Sequence, residues 1–151
     1  MQRRTFLIRS QGLLAALSLG FAAPRASAAA DRVGLGTVIF RNRFEQTKPK
    51  DVATVANPLT LLEVPAYYRE RFRVRNLEFW SHHFESLQPA YIDELRKRVK
   101  AARATLINVQ VDGAYDLASA DETERQRSLA LCHEWIDAVA RLGSRAIRIN
   151  P

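Results

Sequence analysis

Residues 105–112 read Thr-Leu-Ile-Asn-Val-Gln-Val-Asp, and residues 145–150 read Arg-Ala-Ile-Arg-Ile-Asn. Side chains two apart on a strand share a face. In the first stretch Ile107, Val109 and Val111 alternate with Asn108, Gln110 and Asp112. In the second, Ile147 and Ile149 alternate with Arg148 and Asn150. Upstream, Leu77 and Phe79 alternate with Glu78, Trp80 and then His82. Strands of a parallel sheet covered by helices on both sides are nearly all apolar. These are aliphatic on one face only, and the other face grows polar toward the C-terminal end.

The stretches between them set the sheet type. Residues 33–40 (VGLGTVIF) are short, apolar and β-branched, which predicts a first strand. A loop rich in Lys, Pro, Asn and Thr follows, from Arg41 to Pro58. A short helix is expected over 65–72, with Pro65 in its first turn. Strands are expected at 74–80, 105–111 and 145–150. Pro89 opens a helix to about Arg103 with Tyr91, Ile92, Leu95 and Val99 on one face. Ser119 and Glu122 have capping-box spacing before a helix that carries Leu129, Cys132, Ile136, Val139 and Ala140 and stops at Gly143. Strand and helix thus alternate, which implies a parallel sheet with crossover helices.

A sheet polar on one side, at its strand C-termini, suggests the inside of a barrel. The expected fold is α/β, of the (β/α)8 TIM-barrel type, with about the first four strands and three helices present. A complete barrel takes about 250 residues, and its functional groups sit at the strand C-termini. The competing reading is an open three-layer sheet with one partly solvated face. Gly34 and Gly36 lie within a strand rather than after it, so no dinucleotide-binding turn is indicated.

The N-terminus has a separate logic. Arg3-Arg4-Thr5-Phe6-Leu7 precedes a weakly apolar stretch, 12–23, and an Ala26-Ser27-Ala28 cleavage site. This resembles a twin-arginine export signal over residues 1–28, with the domain proper at 29–151. The apolar stretch falls short of the roughly 20 strongly apolar residues of a membrane span. The expectation is a periplasmic or secreted protein that starts at Ala29 and has no stable membrane anchor. Arg3, Arg4, Arg9 and Arg25 belong to this leader, which has no acid. The formal +7 therefore falls to 19 basic against 16 acidic residues, a net of +3. That balance speaks against a nucleic-acid partner. The run Arg96-Lys97-Arg98 with Lys100 and Arg103 reads as a solvated helix face. Cys132 is the only cysteine, which excludes an internal disulfide and a thiolate zinc site. On a helix stripe it reads as a buried structural thiol, and Trp135 reads as packing.

Three segments carry a family resemblance: Leu59-Thr-Leu-Leu-Glu-Val-Pro65, Arg75-Asn-Leu-Glu-Phe-Trp-Ser-His-His-Phe84 and Arg148-Ile-Asn-Pro151. Together they resemble the first half of the sugar phosphate isomerase/epimerase family, the xylose-isomerase-like TIM barrels. The resemblance implies an exported protein acting on a sugar or sugar phosphate by metal-assisted proton transfer beside a carbonyl. It implies a divalent metal held by carboxylates and a histidine on later strands. None of those positions occurs in this chain, so no metal ligand and no catalytic residue is assigned. What the chain supplies is a pocket wall. Glu78, His82, Gln110, Asp112, Arg148 and Asn150 are the candidates for binding hydroxyls, and Trp80 for stacking on a sugar face.

Several of these residues have a second reading. Glu78 either meets substrate or pairs with Arg148. Asp112, before Gly113, either lines the site or shapes the loop. Asn150-Pro151 is also a turn signal. On an extended backbone His82 and His83 point opposite ways, one to the pocket and one to the following helix. The alternative function is a non-catalytic carbohydrate-binding or self-associating half-barrel, a homo-oligomer.

Overall fold

The computed structural model describes residues 32–113 and 115–150. The segment expected to be a leader with its cleavage site, and Pro151, lie outside the described residues. The elements are β1 (Gly34–Gly36), α1 (Val64–Phe72), β2 (Asn76–Trp80), α2 (Pro89–Ala101), β3 (Thr105–Val111), α3 (Glu122–Leu142) and β4 (Ile147–Ile149). All strand pairs are parallel and the order is β1-β2-β3-β4. Among the described residues no helix is long and apolar enough to cross a membrane.

One core joins the sheet to all three helices. Leu77 and Phe79 from β2 and Leu106, Val109 and Val111 from β3 are buried with Val64 and Tyr68 of α1, Ile92, Leu95 and Val99 of α2, and Val139 and Leu142 of α3. All three helices therefore cover the same face of the sheet. Burying each such side chain contributes about 2 kcal/mol, which is what holds the layers together. The opposite face carries Asn76, Glu78, Trp80, Asn108 and Gln110, all half-buried. The α/β alternation and the two-faced sheet are therefore as the sequence implies.

Four local expectations are corrected. The first strand is only three residues long, and Thr37–Arg43 turns into 3-10 helix instead. Buried Thr37 causes the turn, because its hydroxyl accepts the Trp80 N–H at 3.0 Å in place of a strand partner. Second, β3 does not alternate evenly. Leu77 pairs with Leu106 but Glu78 pairs with Asn108, so Ile107 is an extra residue at a bulge. Ile107 thereby leaves the aliphatic face of Val109 and Val111 and turns toward β1, where its Cδ1 would lie 2.8 Å from any Cβ at Gly34. A side chain at position 34 would therefore require the end of Ile107 to shift.

Third, the cap of α3 is Asp121, whose carboxylate accepts the Thr123 N–H at 2.8 Å, while Ser119 Oγ accepts the Asp121 N–H. Glu122 does not reach back, because it holds Arg125 and Gln126. A one-sided contact occurs before α1, where Glu63 Oε2 accepts both the Thr60 N–H and the Thr60 hydroxyl at 2.9 Å. Fourth, the apolar stripe of α3 divides. Cys132 and Val139 are buried, whereas Leu129 and Ile136 remain 39% and 44% exposed and Ala140 is exposed as well. The buried Cys132, the Gly143 stop in the left-handed region (φ 86°) and the buried face of α2 match expectation.

Candidate functional site

Strand register builds the site in rows. On the uncovered face, Gly36, Glu78 and Asn108 stand side by side on β1, β2 and β3. One step toward the strand C-termini, Trp80, Gln110 and Arg148 stand side by side on β2, β3 and β4. Asp112 follows directly after β3, and Asn150 directly after β4.

Asp112 is the hub. Its Oδ2 accepts the Trp80 indole N–H at 2.7 Å and the Gln110 amide at 3.0 Å. Its Oδ1 accepts the Asn150 amide and faces the Arg148 guanidinium at 3.9 Å. Its backbone is fixed as well: Ser81 Oγ accepts the Asp112 N–H and donates to the Asp112 carbonyl, each at 3.1 Å. Five of the seven candidates, Trp80, Gln110, Asp112, Arg148 and Asn150, are therefore brought into one cluster. Glu78 sits one row deeper and accepts the Asn108 amide at 3.0 Å. That contact replaces the expected Glu78–Arg148 pair, because register puts Arg148 opposite Gln110. His82 is exposed at the rim, its ring 4.6 Å from the Trp80 ring.

His83 has a structural role. Residues 81–83 form a 3-10 turn, not extended chain, and the turn buries His83 completely. Its ring stacks on Phe44 at 3.7 Å. The Thr47 hydroxyl donates to the Arg41 carbonyl at 2.6 Å and so accepts from His83 Nε2–H at 3.0 Å. The Thr37 hydroxyl, which already accepts from Trp80 N–H, donates to His83 Nδ1 at 3.0 Å. Every polar atom is satisfied only by the neutral Nε2–H tautomer. Burial, with the nearby His82 charge, pushes the His83 pKa down to about 4. The same Thr37–His83 contact holds the base of the Trp80 turn, so a buried histidine supports the site without lining it.

Three contributors were not assigned from sequence: Asn108, Ser81 and Thr37. Asn108 was legible, since it alternates with Gln110 and Asp112. Ser81 and Thr37 act through contacts 31 and 43 residues away in sequence, and no local pattern marks them.

Both Asp112 oxygens already accept N–H donors, and one Glu78 oxygen accepts from Asn108. Among the described residues no three His, Cys, Asp or Glu side chains gather as ligands. The cluster gathers carboxylate oxygens, side-chain amides and a fixed indole at the strand C-termini. No protein-family model and no curated protein matches this chain.

Proposed function

We propose that the uncovered face is the hydroxyl-binding wall of an exported, sugar isomerase/epimerase-like barrel, and that this chain binds and orients the sugar. The observation that supports the reading is the Asp112 hub at the strand C-termini, with its Trp80, Gln110, Arg148 and Asn150 partners. Acceptors and donors within a few ångströms of an indole suit a ring with several hydroxyls. Arg148, exposed beside Asp112, suits a phosphate or carboxylate substituent. No proton-transfer step is assigned to these residues, and the half-barrel architecture is part of the proposal.

Titration with pentoses, hexoses and their phosphates, followed by amide NMR shifts, tests it. Shifts confined to 78–82, 108–112 and 148–150, weakened in Asp112→Asn, are expected. Sugar binding elsewhere, or none at millimolar concentration, overturns it.

A second reading is favoured by the sheet edges. Among the described residues β1 pairs only with β2 and β4 only with β3, and Ile136, which shares a shallow cavity with Ile147 of β4, stays exposed. Two copies joined β4 to β1 would close both edges, which is the self-associating form of the same half-barrel.

A further inference from the structure

The charge of this protein looks mild when counted along the chain, but the fold sorts it. Each helix descends to the strand N-terminal end before its chain re-enters the sheet. Residues 69–75, 96–103 and 143–147 therefore collect at one end of the molecule. Their only acid is Glu70. Arg73, Lys100, Arg103 and Arg145 are all exposed there. Lys100 and Arg145 line one shallow cavity of about 190 Å3, and Arg103 opens onto another of about 730 Å3, where Arg69 and Arg98 stand beside Glu63 and Glu70.

The helix dipole favours cations in the last helical turn, and that alone explains Lys100. It does not explain Arg73, Arg103 and Arg145, which lie past the helix ends. Arg73 and Arg103 moreover hold left-handed backbone (φ 56° and 52°), where glycine is cheaper and where Gly143 serves after α3. No ion pair among the described residues involves these three.

A second feature lies at the same end. Phe72, the last residue of α1, is 39% exposed, and Val33, just before β1, is 51% exposed. Val33 lies beside β2 through its carbonyl, which accepts from Asn76. Apolar side chains set among arginines match the headgroup boundary of a bilayer, which rewards both. A nucleic acid backbone rewards only the charges.

We propose that this end docks reversibly on a bilayer containing anionic phospholipid. The Asp112 cluster lies at the other end of the strands, about 20 Å away at the usual rise per residue. A docked molecule therefore holds its polar face toward water.

The test is co-sedimentation of the full chain with phosphatidylglycerol/phosphatidylcholine vesicles and with phosphatidylcholine alone. Binding to the anionic vesicles only, lost at high salt, is expected. Arg73→Glu/Arg103→Glu/Arg145→Glu should weaken it by more than about 100-fold, at roughly fivefold for each cation removed and more for the acids introduced, with unchanged circular dichroism. Phe72→Ser should weaken vesicle binding about threefold or more and leave binding to inorganic polyphosphate unchanged. An Arg3→Ala/Arg4→Ala/Arg9→Ala chain separates the leader. If that chain loses binding while the triple reversal keeps it, the proposal is overturned. Equal binding to neutral vesicles, or tighter binding to duplex DNA than to anionic vesicles at the same salt, also overturns it.

Discussion

Ser81 holds Asp112 by both ends of its backbone, with one hydroxyl accepting the N–H and donating to the carbonyl at 3.1 Å each. This links the turn after β2 to the exit of β3. Ser81→Ala removes two hydrogen bonds from a buried site, at about 1 kcal/mol each. We expect a loss of about 2 kcal/mol in urea unfolding and weaker sugar binding, since the hub is then free to drift. Full stability in the variant would show that the contact is incidental.

Asp112→Asn keeps the shape and removes one acceptor. Its carboxylate serves Trp80, Gln110 and Asn150, whereas an amide offers a single oxygen and turns its own N–H groups toward the remaining donors. The expected cost is about 1–3 kcal/mol, together with a changed near-ultraviolet signal from Trp80. A variant with native stability and an unaltered tryptophan signal would contradict the hub.

His83 gives a pH dependence with a definite sign. Its pKa falls from 6.5 in the unfolded chain to about 4 in the fold. Between those values the unfolded chain takes up the proton and the folded protein does not. Stability from this group is complete above about pH 6.5 and declines toward pH 4, by up to about 3 kcal/mol. His83→Gln should flatten that part of the curve, read as the difference between the two proteins so that carboxylate titration cancels. Parallel curves would show that His83 titrates normally.

The exposed Ile136, next to Ile147 on an edge of β4 that is unpaired among the described residues, predicts self-association. Sedimentation should show a mass that rises with concentration, and Ile136→Lys should weaken the dimer about tenfold, or 1.4 kcal/mol. A monomer at all concentrations leaves the edges without this partner.

For the leader, the expected mature N-terminus is Ala29, and Arg3→Lys/Arg4→Lys should retain the precursor in the cytoplasm. Exported protein that still begins at Met1 would falsify the cleavage expectation.

The element order and the two-faced character of β2 were legible because both rest on short-range periodicity: Leu77 and Phe79 are buried, Glu78 and Trp80 half-exposed. The β-branched stretch 37–40 misled, because the demand of Trp80 N–H for the Thr37 hydroxyl outweighs local strand preference. His83 was hidden for a related reason. Burial of a histidine depends on partners, and Thr37, Thr47 and Phe44 are all far from it in sequence. Of the site, the residues that line it could be read from alternation, whereas the groups that orient it could not.

The bulge in β3 has one more implication, about length. Without Ile107 the strand would read Thr-Leu-Asn-Val-Gln-Val and alternate evenly, with the same side chains on each face. Ile107 is thus a spliced-in residue whose side chain plugs the hollow left by Gly34. Removing it shortens the chain by one without reversing any side chain, so this strand can absorb a single-residue deletion that any regular strand would not.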